Sequence, residues 1–149
     1  MSWKSHIDEL RARERLAEQM GGDERVTRQR GMGKLTVRER VAFLADPGSF
    51  HEVGKIAGKA GYGPDEEIAE FLPATMVFGR ATLDGRPAVI LGDDFTVRGG
   101  ASDASIAGKM LMAEQMANEY GMPIVRMIDG TGGGGSVKTL EMIGATYIP

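Results

Sequence analysis

Four consecutive glycines, residues 132–135, stand between an apolar segment and a candidate helix, and this arrangement constrains the fold more than any other feature. Residues 124–128, Ile-Val-Arg-Met-Ile, predict a strand before the run, and Ser136 after it is a suitable helix N-cap. Glycine loses more conformational freedom on folding than any other residue, so such a run is expected where bare backbone must approach a ligand. We interpret residues 129–136 as a strand-to-helix loop whose N–H groups stabilise an anion, either a phosphate or an oxyanion formed during a reaction. The alternative is a turn without a ligand.

Neither of the two familiar phosphate-binding motifs accounts for this loop. A Walker-type loop is excluded because Val137 occupies the position of its second glycine. Gly130, Gly132 and Gly135 satisfy the dinucleotide pattern G-x-G-x-x-G, but a run this rich in glycine does so almost automatically. The acidic residue expected about 20 residues further on lies beyond Pro149. We therefore disfavour a dinucleotide-binding domain.

Upstream of the glycine run, the apolar pattern predicts a hairpin and a helix. Residues 75–83 and 87–91 are the two strands, and Asp84-Gly85 between them is typical of a tight turn. The second strand is almost entirely apolar, which predicts burial on both faces. Ser102 is predicted to cap a helix of about 18 residues. The apolar stripe of that helix comprises Ile106, Met110, Ala113 and Ala117. Hairpin, helix, strand and helix form a β-β-α-β-α unit, which indicates the α/β class.

A second loop rich in small residues joins the hairpin to this helix. Arg98 in it is either a cation for a phosphate or an ordinary surface arginine, and Gly99 and Gly100 follow it directly. Asp93 and Asp94 are expected to be capping or turn residues rather than a pair for acid–base chemistry. Two such loops on neighbouring strands would place two sets of backbone donors at one edge of the sheet.

The N-terminal third is predicted to be helical and peripheral. Ser5 and Asp8 indicate an N-cap and a helix over 6–20, which we expect to pack as an arm, and residues 23–33 are interpreted as a flexible connector.

A capping box is predicted next, because Thr36 and Glu39 have the spacing it needs. A short helix through Leu44 and a turn over 46–49 follow. Residues 54–70 are interpreted as a long surface loop with at most a short strand.

Composition narrows the chemistry that this chain can perform. The 149 residues contain no Cys and two His, which excludes disulfides, thiolate metal sites and a cysteine nucleophile, and disfavours a multi-histidine metal site. No apolar run is long enough for a transmembrane helix, and the start lacks the apolar core of a signal peptide. Residues 1–40 carry ten Lys/Arg and seven Asp/Glu, which is a net charge of +3. Because the whole chain has a net charge of −3, residues 41–149 carry −6. Because basic and acidic residues alternate over 11–18 and no aromatic residue lies near that run, nucleic-acid binding is disfavoured.

Five fragments, in order and at similar spacing, resemble the carboxyltransferase (β) subunits of biotin-dependent acyl-CoA carboxylases, such as those for propionyl-CoA and methylcrotonoyl-CoA. They are Gly33-Lys34-Leu35-Thr36, Arg38-Glu39-Arg40, Asp46-Pro47-Gly48-Ser49-Phe50, Asp84-Gly85-Arg86-Pro87, and Asp94-Phe95-Thr96-Val97 with Gly99-Gly100. The sequence departs from many members at residues 131–135, where they have Ser-Gly-Gly-Ala-Arg, and at Arg98, where an aromatic residue is more usual.

The resemblance implies a crotonase-like (ClpP/crotonase) fold of β-β-α units with an N-terminal helical arm. On this view residues 1–33 are the arm and connector, and residues 34–149 are the first part of an acyl-CoA domain that is truncated. We therefore expect an incomplete fold, inactive by itself.

The activity that the resemblance implies is transfer of a carboxyl group from carboxybiotin, carried on a biotin carboxylase or biotin carrier partner subunit, to the α-carbon of an acyl-CoA. Backbone N–H groups would hold the enolate oxygens, so no metal is expected. The residues assigned in this way are Gly132 and Gly133 to catalysis, and Arg98, Gly99, Gly100, Gly134 and Gly135 to acyl-CoA binding. The family further implies a cytoplasmic homo-oligomer, a hexamer built from dimers, that binds neither nucleic acid nor membranes. The alternative is a non-catalytic module for CoA or nucleotide binding, or for oligomerisation.

Overall fold

The computed structural model describes residues 3–65, 67–101 and 107–130, and it confirms the α/β class. The helices are α1 (Lys4–Glu18), α2 (Asp23–Gly31), α3 (Val37–Leu44) and α4 (Ala107–Glu119). The strands are β1 (His51–Val53), β2 (Gly58–Tyr62), β3 (Ile68–Pro73), β4 (Met76–Leu83), β5 (Arg86–Asp93) and β6 (Ile124–Met127). The predicted helix after Ser136, like the glycine run itself, lies outside the described residues.

The main sheet has the strand order β1-β4-β5-β6, and β5 lies near its centre. β4 pairs antiparallel with both β1 and β5, whereas β6 runs parallel to β5 after the crossover through α4. Val89 and Leu91 pack towards α4, and Ile90 packs towards α3 on the opposite face. All three side chains are buried, which confirms that β5 is covered on both faces.

The turn between β4 and β5 has the predicted geometry. Asp84 has φ of 47° and Gly85 has φ of 74°, the two consecutive positive angles that a two-residue hairpin turn prefers. The carboxylate of Asp46 accepts hydrogen bonds from the backbone N–H groups of Asp84 and Gly85, each at 2.9 Å. The end of the α3 segment is therefore fastened to the hairpin tip.

The capping box at α3 is confirmed by two reciprocal bonds. The N–H of Thr36 donates to Glu39 Oε2 at 2.7 Å, and the N–H of Glu39 donates to Thr36 Oγ1 at 3.3 Å.

The burial of Met110, Ala113 and Ala117 confirms the predicted apolar stripe of α4. Ser102 and Ile106 lie outside the described residues.

Two predictions for the N-terminal region are wrong. α1 begins at Lys4 with Trp3 at its N-cap, and no side chain caps it, so Ser5 lies inside the helix. Residues 23–33 are not a connector, because α2 occupies most of them. Acidic residues in the first turn of α2 and arginines in its last turn complement the helix dipole. Val26 is the one apolar side chain of α2, so little in the sequence indicated that this helix packs on the protein. In the structure, both Val26 and Gln29 are buried.

The prediction of a long loop over 54–70 is also wrong, because β2 and β3 form an antiparallel ribbon there. A Cβ on Gly58 would stand 2.5 Å from the carbonyl oxygen of Leu72. Gly58 therefore permits close strand pairing and is not a loop residue.

A buried charged cluster lies between α3, β1 and α4. Arg38 forms a two-pronged ion pair with Glu52, with N–O distances of 2.7 and 3.2 Å. Lys109, only 7 % exposed, is close to them. Burial lowers the pKa of Lys109 to about 8, although the Glu52 carboxylate opposes that shift.

No helix in the described ranges is long and apolar enough to cross a membrane.

Candidate functional site

The candidate site lies at the edge of the sheet where β5 and β6 both end. The two strands are parallel, and Gly92 pairs with Met127 at the last register position. The chain segments that leave these strands, from Asp94 and from Ile128, therefore emerge side by side. Their common edge is confirmed for the residues up to Gly130, and residues 131–135 lie outside the described part of the chain.

The first loop begins with a turn built on Asp94. Its carboxylate oxygen accepts hydrogen bonds from the Thr96 N–H at 3.0 Å and the Thr96 hydroxyl at 2.6 Å. Burial raises the pKa of Asp94 despite these bonds. Asp94 is thus a turn residue, as predicted.

The three residues that follow Val97 form a left-handed turn. Arg98, Gly99 and Gly100 have φ angles of 52°, 68° and 64°. The Gly100 N–H donates back to the Val97 carbonyl at 3.0 Å. Such angles suit glycine and strain other residues, so the two glycines are explained by the path of the backbone. The side chain of Arg98 is exposed at this edge.

The two loops are in direct backbone contact. A Cβ on Gly100 would lie 2.3 Å from the Asp129 carbonyl oxygen, and one on Gly130 would lie 3.0 Å from the Gly100 carbonyl oxygen. The N–H of Asp129 also donates to Asp93 Oδ2 at 3.2 Å. Burial raises the pKa of Asp93, although this hydrogen bond opposes the shift. The loops therefore form one continuous surface rich in backbone atoms.

The Asp129 side chain connects this surface to the helices α2 and α3. Arg40 Nη2 lies 2.5 Å from Oδ2, and Lys34 Nζ lies 3.1 Å from Oδ1. Gln29 Nε2 also reaches Oδ2 at 3.4 Å. Burial pushes the pKa of Asp129 upward, but the bonds to Arg40 and Lys34 outweigh it and hold that pKa below its ordinary value. Lys34 Nζ stands 5.2 Å from the centre of the Phe95 ring, so it contacts both loops.

Sequence reasoning found the loops and missed this connection. Lys34 and Arg40 are 95 and 89 residues from Asp129 along the chain, and no local pattern reports such a contact. Both occur within the fragments that carry the family resemblance, which is the one signal that could have singled them out. Of the seven predicted site residues, Arg98, Gly99 and Gly100 lie at this edge, and Gly132, Gly133, Gly134 and Gly135 lie outside the described residues.

Two cations, Arg98 and Lys34, stand beside the backbone of these loops. Within the described ranges, no group of three or more His, Asp or Glu residues could hold a metal ion. Cations beside closely packed glycine backbone suit an anionic ligand such as a phosphate.

The solved structures that the chain resembles are crotonase-fold carboxyltransferases. The crystal structure of transcarboxylase 12S with methylmalonyl-coenzyme A and methylmalonic acid bound has a TM-score of 0.78 at 31% identity, covering 97% of this chain and 29% of that one. A single-chain, multi-domain long-chain acyl-CoA carboxylase has a TM-score of 0.70 at 27% identity, covering 89% of this chain and 14% of that one. The expected crotonase-like fold is confirmed.

The family follows from the sequence comparison. The chain belongs to the carboxyl transferase domain family, whose model matches residues 28–147. The mitochondrial propionyl-CoA carboxylase beta chain of Mus musculus is 34% identical over 134 residues, which is 89% of this chain and 24% of that protein. The methylmalonyl-CoA carboxyltransferase 12S subunit of Propionibacterium freudenreichii is 33% identical over 132 residues, 87% of this chain and 25% of that protein. The chain thus spans about a quarter of the length of the curated relatives it matches.

Proposed function

We propose that this chain contributes the acyl-CoA side of a carboxyltransferase active site in a biotin-dependent acyl-CoA carboxylase. The observation that carries the proposal is the backbone contact between Gly100 and Gly130 in a member of the carboxyl transferase family. It brings the two glycine-containing loops together at one sheet edge, so that the amide donors expected from residues 132–135 would face a ligand bound there. Residues 34–149 form the first part of the acyl-CoA domain, and residues 1–33 form its arm.

The roles of the individual residues follow from this proposal. Gly99, Gly100, Gly134 and Gly135 approach the CoA thioester through their backbones, and Arg98 faces its phosphates. Gly132 and Gly133 donate N–H groups to the enolate oxygen that forms when the α-carbon loses its proton. Carboxybiotin, carried by a partner subunit, would supply the carboxyl group that becomes bonded to that carbon, and biotin would leave with the α-proton. Among the described residues, Arg98 at the sheet edge suits the phosphate part of this chemistry, and we assign none of them to biotin.

Titration calorimetry of the carboxyltransferase that contains this sequence, with propionyl-CoA, acetyl-CoA and methylmalonyl-CoA as ligands, tests the binding step. We expect at least one thioester to bind, and free pantetheine to bind more weakly because it lacks the phosphates. Failure of all CoA thioesters to bind would overturn the proposal.

Gly133→Val tests the catalytic step, with abolished turnover expected in the carboxyltransferase that contains this sequence. The matched control is Gly31→Ala, because a Cβ there meets nothing within 4 Å.

We further propose that the chain is part of a cytoplasmic homo-oligomer. The related transcarboxylase 12S structure is described as a hexamer assembly. On α1, Trp3, Ile7 and Leu10 are 74 %, 52 % and 44 % exposed and share one side of the helix. An exposed apolar stripe of this kind is typical of an assembly contact. Light scattering after size exclusion tests this, and a monomer at all concentrations would contradict it.

A further inference from the structure

We propose that Asp129 is a positioning residue: together with Arg40 and Lys34 it fixes the two loops of the site relative to each other. This inference rests on the proposed function, because it assigns to the three residues a role in holding the acyl-CoA site. None of them needs to touch the substrate for this role.

The carboxylate of Asp129 is engaged on both oxygens. Its side chain is only 10 % exposed, and it faces Arg40 on Oδ2 and Lys34 on Oδ1. Gln29, itself buried, adds an amide donor and also donates to the carbonyl of Leu35. Because two cations and an amide converge on one carboxylate, its position is set from the side of α2 and α3.

The backbone of the same residue is engaged by the other loop. Its N–H donates to Asp93 Oδ2, and its carbonyl oxygen lies against Gly100 with no room for a side chain between them. Any displacement of Asp129 therefore displaces the contact between Gly100 and Gly130. The chain then continues directly into the glycine run that the sequence predicts to hold the oxyanion.

The helix that carries Arg40 is packed on the sheet. Val41 of α3 and its C-cap residue Ala45 are buried against Ala81 and Ile90. This packing does not involve Asp129, so the hydrophobic layers should survive the loss of the ion pair. A change at Asp129 is thus expected to alter the loops more than the global stability.

The test compares Asp129→Asn, Arg40→Gln and Arg40→Lys in the carboxyltransferase that contains this sequence. Arg30→Gln is the matched control, because Arg30 forms an ion pair with Glu39 at 2.7 Å and makes no hydrogen bond or ion pair with the described part of the loops. We expect Asp129→Asn and Arg40→Gln to lower kcat about ten- to hundredfold with KM changed less than about threefold, since small misplacements of catalytic groups have effects of this size. Arg40→Lys should recover part of the loss, and Arg30→Gln should behave as the wild type.

Hydrogen exchange of the peptide covering residues 98–101 supplies a readout that does not depend on activity. We expect faster exchange in Asp129→Asn and Arg40→Gln than in Arg30→Gln. Suppose that the wild type is active and that Asp129→Asn and Arg40→Gln match Arg30→Gln in both kcat and exchange. That result would overturn this inference and leave the proposed function intact. If the wild type neither binds a CoA thioester nor turns over, the proposed function fails. Exchange alone then decides whether Asp129 positions the loops, and unchanged exchange rejects it. If Asp129→Asn does not fold, the decision passes to Arg40→Gln by the same two measurements, with Arg40→Lys as its partial rescue.

Discussion

The carbonyl oxygen of Asp129 and the Cα of Gly100 approach so closely that a Cβ on Gly100 would stand 2.3 Å from that oxygen. Because the obstacle is backbone and not a flexible side chain, it cannot move aside without separating the two loops. The φ of 64° at Gly100 adds a second reason for glycine.

Gly100→Ala is therefore expected to destabilise the protein by about 1–3 kcal/mol, as strained backbone positions do, and to weaken binding of CoA thioesters. Urea denaturation and calorimetry measure the two effects. The control is Gly108→Ala in α4, where a Cβ meets nothing within 4 Å. Alanine there should raise the free energy of unfolding by about 0.5–1 kcal/mol. Equal stabilities of the two variants would contradict the loop contact.

Thr36→Ala should cost about 1 kcal/mol of stability, because it removes the acceptor for the Glu39 N–H at the start of α3. Thr36→Ser keeps the hydroxyl and should stay close to the wild type. The difference between the two denaturation midpoints is the measurement, and the prediction would be wrong if alanine and serine were equivalent.

Acid should destabilise the protein partly through Glu39. The Thr36 N–H bond, followed by Arg30 and the Thr36 hydroxyl, lowers the pKa of Glu39 from 4.5 to about 2. Since the folded-state pKa lies below the unfolded one, this stabilisation is present above pH 4.5 and is lost as pH falls towards 2. Glu39→Gln should make the pH dependence of the unfolding free energy shallower in that window. Identical slopes for variant and wild type would show that Glu39 does not contribute.

Lys109→Met should stabilise the protein at neutral pH. Burial lowers the pKa of Lys109 from 10.5 to about 8, so the folded state holds its charge at a cost. The wild type should therefore gain stability as pH rises from 8 towards 10.5, because the unfolded chain binds more protons there. The variant should lack this gain and exceed the wild type near pH 7 by about 1–3 kcal/mol. A less stable variant would mean that the electrostatic attraction of Glu52 outweighs the burial of Lys109.

Local patterns predicted the core of the fold. The hairpin at Asp84-Gly85, the apolar run of β5 and the capping box at Thr36 each depend on residues near one another in the chain. α2 was missed because its packing involves a distant partner, and the β2–β3 ribbon was missed because its glycine-containing β2 lacks an apolar alternation. Burial of Gln29 beside Leu35 and Asp129, and the approach of Gly58 to Leu72, leave no periodic signal.

The site was likewise predicted only where residues close together in the chain define it. The loop at Arg98–Gly100 was found from its glycines, whereas its attachment through Asp129, Arg40 and Lys34 needed the folded structure. The assignments to Gly132, Gly133, Gly134 and Gly135 stay predictions.

The hairpin tip offers a practical position for a probe of tumbling and assembly. β5 runs from Arg86 at the tip to Asp93 beside the loops, so the two ends are about 23 Å apart at the usual rise per residue. Arg86 is exposed, and the chain has no cysteine. Arg86→Cys would therefore create a unique thiol for a fluorophore or spin label. Such a probe would stand far enough from the loops to report tumbling or assembly without disturbing ligand binding.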